Sequence, residues 1–279
     1  MSVRNLALIF LFGFVSITFA QKPQVSAVKF NIHKDLLLVQ YDCKTDVDDL
    51  HAIAALATLL SKKPYTILKY HAVAGTYGIQ EGLYVPPNDL FDLAYGKNWS
   101  DAHNQYKKSL EKVTQLAKET LRLNGRIWIA EAGQSDFSAD FLKMLKAVFP
   151  SLNKAQVHVV QHSDWNEKMT APEKLAFTKH TATYYKIADG NVEGNGTPGF
   201  NSPVMAPWET AITSTHLINV WKLAIRLGNK YNGAENRYMN KAIESGGLDF
   251  SDFAEVCWIL GLTDIKDAES YFRFIAEEN

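Results

Sequence analysis

The chain has 279 residues, 47% of them hydrophobic and 21% charged, with a formal net charge of −1. That balance is ordinary for a globular enzyme and offers no basic surface to nucleic acid or an anionic membrane. Two cysteines, Cys43 and Cys257, are too few for a disulfide scaffold; a single bridge and two buried free thiols both stay open.

Residues 1–20 read as a secretory signal. Arg4 supplies the positive charge, residues 6–19 are almost wholly apolar, and Thr18-Phe19-Ala20 offers small residues for cleavage. The apolar run is too short to favour a stable membrane span. The expected mature chain starts at Gln21 and is secreted or periplasmic. Residues 21–279 fit one α/β domain without repeats or low-complexity tracts.

Residues 36–39, LLLV, form a short apolar run that predicts a buried strand ending at Tyr41. Four aspartates follow within eight residues: Asp42, Asp46, Asp48 and Asp49. A helical pattern comes next, with Leu50, Ile53, Ala54, Ala57 and Leu60 on one face. The carboxylates therefore sit between a buried strand and a helix, the edge where open α/β sheets bind ligands. Like charges packed this closely repel, and a hard cation such as calcium or magnesium offsets the cost. The alternative is a solvated acidic turn that favours a helix N-terminus.

Residues 65–74 predict a second strand, ending in Gly75-Thr76-Tyr77-Gly78; Tyr77 is either a pocket wall or a packing aromatic. Residues 83–99 suggest a loop and a short helix, and residues 101–124 a long helix ended by Asn124-Gly125. Residues 126–130 predict a third strand, with a helix over 137–148. Residues 156–161 predict a fourth, followed by the polar cluster His162-Ser163-Asp164-Trp165-Asn166-Glu167. His162 could equally serve as a loop hydrogen-bonder. Residues 174–188 read as helical, and the glycine-rich stretch 189–200 as a lid or substrate loop. Helices are expected over 208–227 and 231–242, then an apolar one over 253–260 preceded by Asp249 and Asp252.

The stretch Asp42-Cys43-Lys44-Thr45-Asp46-Val47-Asp48-Asp49 resembles the N-terminal signature of the inosine-uridine nucleoside hydrolase family, D-T-D-I-G-T-D-V-D-D in many members, and is similar to a divergent secreted branch that also lacks the first Asp and reads T-D-I-G-G-D-P-D-D. The resemblance implies a mostly parallel sheet with helices on both faces, Rossmann-like, and one bound Ca2+. It makes Asp42 general base and calcium ligand, Asp49 the calcium clamp, and Asp48 a ribose anchor. By position, the Ala132 carbonyl and Asp252 complete the metal site, while Asn166 and Glu167 bind substrate. Asn195-Gly196-Thr197-Pro198 resembles that branch's G-D-T-P element. Gln40, Lys44, Ile79 and Ser251 depart from the pattern, and Ser251 replaces the His that protonates purine leaving groups in many members.

The expected activity is calcium-dependent hydrolysis of N-glycosidic bonds in a small nucleoside or glycoside. The alternative is a catalytically impaired sugar- or nucleoside-binding protein on the same fold. A dehalogenase-like phosphatase would need Asp-x-Asp directly after the strand, and Asp42 is followed by Lys44. A homo-oligomer stays open.

Overall fold

The first strand, β1 (Leu36–Tyr41), is buried along its whole length. Its side chains alternate between two cores, as a pleated strand requires. Leu36 and Leu38 enter one core, while Leu37, Val39 and Tyr41 enter the other. The computed structural model describes residues 28–277, so the signal expected over residues 1–20 lies outside the described residues. Among the described residues no helix is long and apolar enough to cross a membrane.

Helix α1 (Asp48–Ser61) follows, then β2 (Lys69–Ala74), α2 (Asn88–Tyr95), β3 (Trp99–Asp101), α3 (Ala102–Arg122) and β4 (Ile127–Ala132). The next elements are α4 (Asp136–Val148), β5 (Val157–Gln161), α5 (Asp164–Lys168), α6 (Pro172–Thr181) and β6 (Thr183–Lys186). A short antiparallel pair, β7 (Asn201–Ser202) and β8 (Leu248–Asp249), encloses α7 (Trp208–Ala211), α8 (Thr215–Tyr231) and α9 (Lys241–Glu244). The described chain closes with α10 (Ala254–Leu260) and α11 (Ala268–Ala276).

The six strands of the main sheet run parallel in the order β3-β2-β1-β4-β5-β6. One face packs on α3 and α4 through Val113, Ala117, Phe141 and Leu145. The other packs on α1 and α8 through Leu50, Ile53, Val220 and Trp221. This is the α/β, Rossmann-like architecture that the strand–helix alternation predicts. Asp35 sets the register at the sheet's centre. Its carboxylate accepts the Arg126 N–H at 2.8 Å and the Trp128 indole N–H at 3.1 Å. Leu36 then pairs with Ile127 and Tyr41 with Ala132, so β1 and β4 end level.

Four expectations are corrected. The second strand begins at Lys69, since residues 65–67 form a 3-10 turn with Ile67 53% exposed. The helix expected over 174–188 stops at Thr181, because the β-branched and aromatic run Thr183-Tyr184-Tyr185 pairs with β5 as an edge strand. The helix expected over 208–227 breaks at Ile212, where the backbone turns extended. That expected over 231–242 shrinks to α9, because Gly233, Glu235 and Asn236 all take positive φ. The edge strand β3 has no counterpart among the expected elements.

Cys43 and Cys257 are free thiols, each about 1% exposed within the same core. A dithionitrobenzoate assay should therefore find no reactive thiol in the native protein and two after denaturation. One fast-reacting thiol in the native state would contradict this packing.

Candidate functional site

The strand order reverses between β1 and β4, and their carboxyl ends frame a crevice of the kind that binds ligands in open α/β sheets. The loop after β1 delivers its carboxylates there. Cys43 adopts a left-handed φ of 51°, and its N–H donates to Asp49 Oδ2 at 2.6 Å. This closes the loop over the start of α1 and holds Asp49 in place. Asp48 Oδ1 accepts the Asp49 N–H at 3.0 Å. Almost every residue of α1 is buried, because the helix lies between the sheet and α8. Asp49 is consequently fixed from both sides.

Asp252 arrives from far along the chain. It lies in a 3-10 turn, Ser251–Phe253, and the helix after it is anchored in the core by Phe253, Val256 and Cys257. Asp48, Asp49 and Asp252 each present a carboxylate oxygen within 4.8 Å of the others. Asp49 Oδ1 is buried and has no hydrogen-bond partner. Burial raises all three carboxyls well above their ordinary pKa; the charge of Asp252 adds to it for Asp48 and Asp49, and Asp252 itself stays raised against the pull of His162. Asp249, by contrast, is a structural carboxylate. It accepts the Ser251 N–H at 3.0 Å, Asn201 Nδ2 at 2.6 Å and Asn240 Nδ2 at 2.8 Å. Asp249 thus braces the start of the turn through the Ser251 N–H, and Asp252 is left for the cluster.

Asp42 lies at the mouth of the same crevice. Its Oδ1 accepts the Lys44 N–H at 2.8 Å, and its Oδ2 accepts Gln134 Nε2 at 2.9 Å and Gln80 Nε2 at 3.3 Å. Burial raises its pKa to about 6 against the opposing pull of these hydrogen bonds. Gln134 also donates to Asn166 Oδ1 at 3.0 Å and accepts the Gly78 N–H at 3.1 Å and Gln80 Nε2. One buried amide therefore ties together the loops after β1, β2, β4 and β5. Lys44, two residues from Asp42, turns its ammonium away. It sits 4.5 Å from the Tyr77 ring centre and donates to the Gln80 carbonyl at 2.8 Å.

These groups open into a cleft of about 450 Å³ lined by Asp42, Asp46, Asp48, His162, Asn166 and Asp252 among others. The structure thus brings together Asp42, Asp48, Asp49, Asp252 and Asn166. Glu167 is not part of the lining and pairs with Lys179 at 2.9 Å. The Ala132 carbonyl accepts the Asp42 N–H at 3.0 Å as the last rung between β1 and β4.

Gln80, Gln134 and Asn240 have no role in the sequence reading, and Asp46 has none assigned. Gln80 and Gln134 follow strand ends and Asp46 lies within the acidic motif, which hinted at the site; nothing in the sequence did so for Asn240. His162 is buried, with Nδ1 2.7 Å from Glu255 Oε1. Burial alone would lower its pKa, but the Glu255 carboxylate outweighs that and raises it to about 9.

No protein-family model matches the chain, and no curated protein or solved structure matches it significantly. Function must be argued from the site itself.

Asp46 gives a pH test of the crowded carboxylates. Burial, then Asp249, raises its pKa from 3.8 to about 7. A carboxyl with a higher pKa in the folded state binds its proton more tightly there. Its contribution to stability is full below the unfolded value and is lost as pH rises through about 7. In chelator, Asp46→Asn should melt close to the parent near pH ~4 and above it near pH ~8. Equal melting-point differences at both pH values would show that Asp46 carries no such burden.

Proposed function

We propose that the protein is a calcium-dependent hydrolase of N-glycosidic bonds, acting on a nucleoside or a related glycoside. The reading is carried by the convergence of Asp48, Asp49 and Asp252 at the sheet's crossover point, in a cleft that Asp42 also lines, with Asp49 Oδ1 buried and unpartnered. An orphaned buried carboxylate oxygen is expensive unless a cation or proton meets it. The donors are carboxylate oxygens, without sulfur or imidazole, which suits calcium or magnesium. Asp49 and Asp252 would hold the cation, with Asp42 and Asp48 at its side. The second lone pair of the Ala132 carbonyl stays available as a further donor.

When bound, the cation supplies positive charge that makes an adjacent water more acidic. The rest falls to the chain's own residues. Asp42, held by the amides of Gln80 and Gln134, takes the water proton as the oxygen attacks the anomeric carbon. Asp48 receives the sugar hydroxyls. Asn166 has its amide oxygen engaged by Gln134 and one N–H on Gln161, which leaves one N–H donor for the cleft. The negative lining favours the positive charge that develops on the sugar.

The alternative, a binding protein without turnover, is favoured by two positions. Ser251, standing where the resembled family has His, is fully buried, and Ile79 is 58% exposed and outside the cleft lining. Incubation with a panel of nucleosides and aryl glycosides separates the two readings by whether free sugar is released.

Calorimetric titration should find one calcium per chain, and EDTA should lower the melting temperature, since a ligand bound only by the native state stabilises it. Asp49→Asn and Asp252→Asn should each weaken calcium binding strongly, whereas Asp249→Asn should chiefly lower stability. Asp42→Asn should cut turnover on the order of 10²–10⁴-fold, the usual worth of a general base. Absence of calcium binding together with an unchanged melting point in EDTA would sink the proposal.

A further inference from the structure

The cleft has a second lobe. A cavity of about 460 Å³ adjoins the carboxylate lobe and is lined by Trp165, Lys186, Asp189, Asn191 and Trp258 among others. His162, Ser163, Trp165 and Asn191 line both lobes, so His162 stands where the two meet. A substrate lying across the whole cleft has its two halves divided at that residue.

His162 is built in with unusual firmness. Glu255 Oε1 takes both its ring Nδ1, at 2.7 Å, and its backbone N–H, at 3.1 Å. Two hydrogen bonds to one oxygen fix the ring's tilt and its tautomer. With Nδ1 so engaged, Nε2 is the ring nitrogen left for the cleft that His162 lines. Glu255 is fully buried and its Oε2 has no partner, so the carboxylate depends on a positive imidazole beside it. The pair is a proton-bearing group aimed at the junction of the lobes.

The cationic alternatives in the lining are already committed. Lys44 lies on Tyr77 and the Gln80 carbonyl. Lys186 donates to the His162 carbonyl at 2.6 Å and pairs with Asp164 at 2.7 Å. Lys241 pairs with Glu244 at 2.7 Å.

Resting on the N-glycosidase reading above, we infer that His162 is the catalytic acid, protonating the leaving nitrogen from Nε2, and that the second lobe holds the leaving group. The C–N bond breaks with its electron pair staying on the leaving nitrogen, which takes the Nε2 proton. The water oxygen bonds to the anomeric carbon, and its proton passes to Asp42. Asp42 then releases a proton to solvent and His162 regains one, so each turnover consumes one water. Glu255 is a positioning residue that acts through the ring.

The test compares leaving groups. Uracil and hypoxanthine, the bases of uridine and inosine, leave poorly without a proton, whereas the 4-nitrophenolate of a 4-nitrophenyl riboside leaves unaided. His162→Asn should lower kcat/KM for the nucleosides on the order of 10²–10³-fold and for the nitrophenyl riboside less than about tenfold. Glu255→Gln should show the same selectivity with a smaller loss. If His162→Asn melts far below the parent, Glu255→Gln, which leaves the ring in place, carries the comparison. Equal losses on both kinds of substrate, or none on either, would overturn the role of His162 alone. A parent enzyme that releases sugar from neither would overturn the N-glycosidase reading, and the role of His162 with it.

Discussion

Buried carboxylates that face one another cannot all be charged unless something positive lies between them. That constraint governs the upper edge of this sheet. Asp48, Asp49 and Asp252 converge within 4.8 Å, and Asp49 Oδ1 finds no protein donor. Without a cation the protein meets the cost with protons, which is why burial and neighbouring charge drive these pKa values upward. A divalent cation meets the same cost without protons. Much of the surrounding architecture holds the crowd together: a helix buried on nearly all sides, a loop closed onto Asp49, and a register clamp at Asp35.

Amides supply the precision that charges alone would not. Gln134 satisfies both ends of its amide with groups from three other segments, so its NH2 can point only at Asp42 and Asn166. Asn240 plays a related part below, bridging Asp46 and Asp249. Neutral hydrogen bonds of this kind orient carboxylates without cancelling their charge, so the site stays electronegative while its geometry is fixed.

Much of this was legible in the sequence where local pattern and burial agree. The apolar run 36–39, the aspartate motif and the amphipathic helices announced the sheet, its ligand-binding edge and most of the helices. Legibility failed where tertiary partners decide. Residues 183–186 are a strand only because β5 offers an edge, and β3 exists only because β2 does. In the site, the acidic motif was visible, but Gln80 and Gln134 were not. A glutamine in a loop carries no local signal, and its meaning comes from the Asp42 carboxylate it meets. Likewise the contrast between Asp249, which is held by Ser251, Asn201 and Asn240, and Asp252, which joins the cluster, rests on a turn geometry that their spacing leaves open.

The parallel order of the central strands also dictates when the cleft can come into being. β1 pairs with β4, whose first residue, Ile127, lies far beyond Leu36 in the chain. Such pairing closes a long loop before any contact rewards it, and folding through it is slow. During synthesis the acidic loop emerges early and stays without the Asp252 carboxylate until residue 252 has been made. The three-carboxylate cluster is therefore a late product of folding, complete only once two distant parts of the chain have met.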